Sequence, residues 1–498
     1  MSNYPRSLQY FLNRLSGWTS NQVRLNVAGS TSAAASSMIE VSLPANTLCD
    51  LRSLAMQFDA TFNSATAADT FVPRYFPNVM IRRAEWSVNG ITLSQSSNSY
   101  GLVYNTLAEA TCPPDFQQFN MLNSGAKPSY SNPVAQLDHA LSPKPTYTTT
   151  GFLGFGSQEV WMNTSLVGSL RLRISLETND ILGQSAGTDS TFNLDNIHFT
   201  ITCGSLNDGL YNAALQEKLA RQEVLQLPFK AYSVFEQGNT NGGVCSIKAT
   251  LSSSSVDRLY GLTRANNYRA KTCSTQALFG GTTPFYTCCA GGHYMAVAAN
   301  QPRQGLDATY NTADLTHYQF QVNSVMCPNY LVSCGSAWTG AAGAEVAPAV
   351  RHGGLAALEC KRSVGSLNDV DSGDGLLFCM YAQYPYNTNG NNGPPNVAGS
   401  GGGGTATAQG GGNAGAAAMA GQNMMQHIYK NYHCITSFAL EYVGASSRTL
   451  SGLNMRGSVG SIYFNATYSA GDSSNQVLIV ETTQILAIGQ NGSVELIV

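Results

Sequence analysis

Charge is scarce in this chain. Only 11% of its 498 residues are Asp, Glu, Lys or Arg, and the formal net charge is −3. That balance excludes a general electrostatic footprint for nucleic acid or an anionic membrane surface, so no specific nucleic-acid binding is expected. No stretch approaches the roughly 18 consecutive apolar residues of a membrane span, and the N-terminus lacks the apolar core of a secretory signal. Without that route, the acceptor-like Asn163, Asn465 and Asn491 read as chance matches to a glycosylation signal. Cysteine is present but unorganised. The twelve residues run from Cys49 to Cys434 with no CxxC pair and no compact framework, so mostly free, partly buried thiols are expected.

Catalytic signatures are missing as well. The seven histidines are scattered, none in an HExxH setting, and no GxSxG turn is present. His198 falls in an alternating segment and reads as an ordinary strand residue. The glycine runs 401–404 and 410–412 lack the following Lys-Ser/Thr that a phosphate-cradling loop needs. Asp369, Asp371 and Asp374 in NDVDSGDG approach a calcium loop, but Gly373 takes the third ligand position and Met380 stands where the bidentate Glu belongs. An acidic turn is the expectation there. No catalytic residue, metal site or cofactor is assigned, and an enzyme is not expected.

What the chain does carry is period-two alternation. Leu54, Met56, Phe58, Ala60 and Phe62 alternate with polar or small residues. So do Leu170, Leu172, Ile174 and Leu176, then Ile197, Phe199, Ile201 and Cys203. Later runs at Cys245–Leu251, Tyr318–Val322 and Ile462–Tyr468 repeat the pattern. Asn89-Gly90 between two apolar runs predicts a type I′ hairpin, and Asn491-Gly492 a second one near the C-terminus. The polar passage from Cys112 to Thr150 is expected to stay at the surface.

Between the two sets of strands lies a charge-dense, helix-like stretch, LNDGLYNAALQEKLARQEVLQ. Glu217 and Arg221 stand four apart as a favourable pair, and Pro228 follows the helix. Leu206, Leu210, Ala213, Ala214, Ala220 and Val224 fall on one side, with Leu215 and Leu219 elsewhere. The expected fold class is all-β: two consecutive jelly-roll sandwiches, a short helical connector and long inter-strand loops. The division is 1–20 as an N-terminal arm, 21–205 as the first jelly roll, 206–226 as the connector, and 227–498 as the second. A loop of Gly, Asn, Ala and Pro at 384–422 interrupts the last.

At the connector the sequence resembles a known family. LPFKAYSVFEQ (227–237), LSSSSVDRLYGLTRANNY (251–268) and FALEYVGASSRTLSGLNMRGSVGSIYFNATY (438–468) are similar to segments of the double jelly-roll major capsid proteins of polinton-like viruses and virophages. The resemblance implies a shell protein of a DNA virus. It implies two upright jelly rolls per chain, three chains per pseudo-hexagonal capsomer, and capsomers tiling an icosahedral shell of the virion, assembled inside the host cell. Implied partners are the chain itself, neighbouring capsomers, and penton and minor capsid proteins; contact with an internal membrane is left open. Candidate interface residues are Leu8, Phe11 and Leu15, one face of a helix in the arm, and Tyr384 and Tyr386 beside the Gly-rich loop. A carbohydrate-binding or adhesive β-sandwich is the competing reading, with exposed Tyr and Trp as its site.

Overall fold

The computed structural model describes residues 17–63, 76–95, 98–111, 146–157, 161–182, 191–206, 209–221, 224–239, 243–265, 276–277, 284–288, 293–296, 315–334, 337–338, 350–351, 354–364, 435–442, 450–456, 460–468, 474–489 and 492–498. The alternating segments are strands. In the first half they are β1 (Trp18–Asn26), β2 (Met38–Ser42), β3 (Leu48–Asn63), β4 (Ile81–Val88), β5 (Ile91–Gln95), β6 (Thr146–Thr150), β7 (Leu170–Leu176) and β8 (Thr191–Leu206). β1, β8, β3 and β6 form one antiparallel sheet in that order, and β2, β7, β4 and β5 form another. The two-residue strands Ala33–Ala34 and Met162–Asn163 extend the first sheet.

The second half repeats this order. Its strands are β9 (Leu225–Asn239), β10 (Val244–Leu251), β11 (Val256–Ala265), β12 (Leu315–Val322), β13 (Val325–Ser333), β14 (Thr436–Ala439), β15 (Gly460–Tyr468) and β16 (Ser474–Ile488), with β17 (Val494–Ile497) closing the chain. The sheets run β9-β16-β11-β14, with β17 added on β16, and β10-β15-β12-β13. Adding eight to each strand number of the first half reproduces both orders. Apart from the β4-β5 and β12-β13 hairpins, consecutive strands alternate between two facing sheets, in the same sequence twice, which is a jelly roll twice over. A small three-stranded sheet (276–277, 284–288, 293–296) stands inside the long excursion between β11 and β12.

Burial follows alternation. Leu54, Met56, Phe58, Ala60 and Phe62 all turn inward, as do the apolar sets of β7 and β8. The Asn89-Gly90 turn has φ of 50° and 84° and joins the paired Val88 and Ile91, as a type I′ turn requires. At the C-terminus the hairpin forms, but over a longer turn than two residues. Ile488 pairs with Val494, the Gly489 amide donates to the Ser493 carbonyl at 2.8 Å, and Gly492 takes φ 72°.

Three expectations need correction. Thr146–Thr150, placed at the surface by its polarity, is an edge strand of the first sheet with one face in the core: Tyr147 is fully buried and stacks on Phe58 at 5.6 Å. Thr149 is tolerated beside it because its hydroxyl donates to the Pro77 carbonyl at 2.7 Å. Residues 112–145 lie outside the described residues.

The connector helix is also shorter than 206–226. It spans Gly209–Ala220 (α2, after α1 at Tyr100–Thr111), while Leu206 still pairs with Trp18 and Gln226 already pairs with Ala487. Among the described side chains Leu219 is buried, whereas Ala213, Ala220 and Val224 are exposed. Apolar residues spread around this helix, so periodicity selects no face. The Glu217–Arg221 ion pair forms as spacing requires. The last three residues of the expected arm, Trp18 to Ser20, already belong to β1.

Candidate functional site

Two features stand out: the junction between the halves and an exposed sheet edge. The junction is built on the long ribbon of β9 and β16, paired residue for residue from Leu225↔Ile488 to Asn239↔Ser474. At one end, Phe229, Leu486 and Ile488 enter the core of the first half, and Phe229 packs edge-on against Phe155 at 5.3 Å. At the other end, Leu478 and Val480 enter the second core. The opposite face of the ribbon carries Val477 and Ile479, covered by Leu102 and Val103 of α1 and Cys360 of α3 (Gly354–Val364). One ribbon therefore contributes to three clusters and ties the halves together.

A charged network lies on that ribbon. Lys230 Nζ donates to Asp257 Oδ2 at 2.8 Å and Glu441 Oε2 at 3.0 Å, and stands 3.5 Å from Glu481 Oε1. Arg258 pairs with Glu441 at 2.7 Å, and the Tyr260 hydroxyl donates to Glu481 Oε2 at 3.2 Å. Thr483 and Ser255 donate to the two oxygens of Asp257 at 2.5 and 2.6 Å. Three carboxylates thus share two cations in a nearly dry site. Burial pushes Glu481 up from its ordinary 4.5; Arg258 and Lys230 oppose the rise, and Glu441 and Asp257 add to it. Burial lowers Lys230, but Glu481, Asp257 and Glu441 outweigh it and hold the ammonium above its ordinary value.

The sign of the pH dependence follows. A carboxyl with a raised folded pKa binds its proton more tightly when folded, so its contribution to stability falls as pH rises from about 4.5 through the folded value. Glu481→Gln removes that slope. Denaturation profiles of wild type and variant should diverge across this window, with wild type losing relative stability as pH rises; parallel profiles would refute the assignment.

The sheet edge is β13. Val325, Met326, Tyr330 and Leu331 are 64%, 39%, 44% and 61% exposed on one short strand. Its pairing with β12 breaks between Tyr318↔Val332 and Phe320↔Cys327, so residues 328–331 form a bulge opposite Gln319, with Pro328 buried and 329–331 exposed. Gln319 Nε2 fills the bulge by donating to the Pro328 carbonyl at 2.8 Å. Tyr330 donates to Glu359 of α3 at 2.7 Å, and Leu355, one turn earlier on that helix, is exposed as well. Edge strands are ordinarily guarded by charge, proline or a bulge; VMCPNYLVS carries no charge, so Pro328 and the bulge are its guards against strand addition while its apolar side chains stay exposed. Apolar side chains clustered in this way mark a contact surface.

A groove of about 300 Å³ on the β2-β7-β4-β5 sheet is lined by Glu40, Glu85, Arg171 and Arg173, and both arginines pair with Glu40 at 3.3 and 3.1 Å. His198 contacts Gln57 Oε1 at 2.8 Å and the Asn196 carbonyl at 2.9 Å, as an ordinary strand residue would. Among the described residues no group of three His, Cys, Asp or Glu is placed to hold a metal ion, and no helix is long and apolar enough to cross a membrane. Leu8, Phe11, Leu15, Tyr384, Tyr386, Asp369, Asp371 and Asp374 lie outside the described residues. The junction charges were legible only as oddities, Lys230 within LPFKAYS and Glu481 within LIVETT.

No family model and no curated protein matches the sequence. The fold does match solved structures along its whole length. PBCV-1 VP54 fitted into a cryo-EM reconstruction of the virophage Sputnik is 9% identical, with 98% of this chain and 99% of that one covered at a TM-score of 0.57. The PBCV-1 virus capsid gives 9%, 98%, 99% and 0.55, and the Faustovirus major capsid protein 9%, 98%, 93% and 0.52. The chain has the double jelly-roll capsid-protein fold. In this double jelly roll the second sandwich is joined to the first by a shared ribbon as well as by α2, and β13 lies at the edge of the second sandwich.

Proposed function

We propose that the chain is a viral major capsid protein that forms homotrimeric, pseudo-hexagonal capsomers tiling an icosahedral shell. The observation that carries this reading is the twice-repeated jelly-roll order, aligned over nearly the full length of both chains with capsid proteins. The charge-poor composition supports it, because a neutral polar surface opposes self-association less than a charged one. The apolar edge of β13 is the described surface best suited to a neighbouring copy. Leu8, Phe11 and Leu15 of the arm, and Tyr384 and Tyr386, are further candidates for contacts between copies. Penton and minor capsid proteins are the expected other partners, and the virion is the expected location.

Sedimentation and electron microscopy of the purified protein test the reading. Trimers or shells are expected, and a well-folded monomer at high concentration would overturn it. Glycan binding by that monomer would favour an adhesive protein instead. Leu331→Asp is expected to weaken association on the order of tenfold or more while leaving thermal unfolding of the subunit unchanged, since Leu331 is largely solvent-exposed. Unaltered association would remove β13 from the interface.

A further inference from the structure

Two of the free thiols stand opposite each other. Cys49 on β3 and Cys203 on β8 are direct partners in the antiparallel register, and their sulfurs lie 3.8 Å apart. Directly opposed residues of antiparallel strands have Cα atoms about 4.5–5.5 Å apart, within the roughly 4.4–6.8 Å that disulfides span. Both side chains point into the first core. Closing to the about 2 Å of an S–S bond needs side-chain rotation and a slight approach, with no change of register.

We propose that Cys49 and Cys203 form a modification site, at which an oxidant of the peroxide class joins them in a buried cross-strand disulfide. The Cys203 sulfur attacks one peroxide oxygen, the O–O bond breaks, and water leaves with the thiol proton, giving a sulfenic acid. The Cys49 sulfur then attacks the Cys203 sulfur. The S–O bond breaks, the S–S bond forms, and the departing hydroxide takes the Cys49 proton as a second water. Two thiols lose two electrons, and one peroxide is reduced to two waters.

The fold orders these steps. On its other side Cys203 is partnered by Asn21 of β1, an edge strand exposed along most of its length, so a small oxidant reaches Cys203 when β1 lifts. Trp18 and Trp161, edge-to-face at 4.9 Å, cover the neighbouring Gly204. Cys49 lies one strand deeper and resolves the intermediate. Burial holds its thiol up at about 12, the Thr47 hydroxyl offsetting part of the rise and Cys203 adding to it, so Cys49 reacts slowly while the sheet is closed. Oxidation is therefore slow, and speeds up when β1 loosens. The bond joins positions 154 residues apart and restrains the unfolded chain.

The test uses the folded, full-length wild-type protein. After incubation with hydrogen peroxide, remaining thiols are alkylated and the digest is read by mass spectrometry without reduction. A linked pair of peptides carrying Cys49 and Cys203 is expected, lighter than their sum by two hydrogens and separated by dithiothreitol. The oxidised protein should melt roughly 5–10 °C higher, a gain reversed by reduction and absent in Cys49→Ser. Recovery of both cysteines as free thiols after peroxide treatment in mild denaturant, or of Cys203 as sulfinic acid with Cys49 intact, would overturn the proposal. The outcome does not depend on whether the chain assembles into shells.

Discussion

Lys230→Met is expected to lower the stability of the folded chain by about 3–5 kcal/mol. The ammonium sits among Asp257, Glu441 and Glu481, and the last is buried so deeply that its carboxyl already resists ionisation. Methionine matches the length of the stem but leaves three carboxylates to Arg258 alone. Removing one partner of a buried pair costs more than the pair contributes, because the remaining charge keeps its desolvation penalty. Lys230 is 31% exposed, so water recovers part of the loss and the lower end of the range is expected. Adding Glu481→Gln to Lys230→Met should recover part of the loss, since one of the three carboxyl groups left without Lys230 disappears. Chemical denaturation of the two variants decides the matter. A loss below about 1 kcal/mol, typical of a surface pair, would mean that the network is solvated.

Phe229→Ala is expected to cost about 3–5 kcal/mol, with its damage in the half of the molecule to which residue 229 does not belong by sequence. Phe229 is 4% exposed, and its ring fills the first core against Phe155, although its backbone is hydrogen-bonded within the second sandwich to Gln484 of β16. Truncation opens a cavity beneath the first jelly roll and loosens the ribbon that spans both. Hydrogen exchange resolves where the loss falls. Faster exchange in β3, β8 and the 154–157 turn is expected alongside the end of β9 and β16; an effect confined to the second sandwich would show that the halves have independent cores.

Much of the local structure was legible. Alternation is a property of neighbouring residues, so the inward sets of β3, β7, β8, β12 and β15 could be read from the chain. The Asn89-Gly90 turn was legible for the same reason, since only a few residue types accept two successive positive φ angles. Tyr147 escaped because its strand is rich in threonine, and a hydroxyl that finds a backbone carbonyl is as comfortable inside as out. The buried side of α2 escaped because its apolar residues circle the helix. The doubling of the jelly roll left no visible repeat, because strand order constrains only which positions turn inward and many residues satisfy that.

By itself, then, the sequence determined a low-charge, strand-built chain in two runs with a helix between, and a likeness to capsid proteins in three segments. Those features rest on interactions within a few residues. Which strand lies beside which was decided only in three dimensions, where hydrogen bonds join Leu225 to Ile488 and Trp18 to Leu206 across most of a half or more of the chain. So was the satisfaction of Lys230 by carboxylates 27 and 211 residues away. Charges and thiols carry no local periodicity, so their partners follow from packing: a buried ammonium must meet its counter-ions, and two cysteines face each other only when their strands come into register.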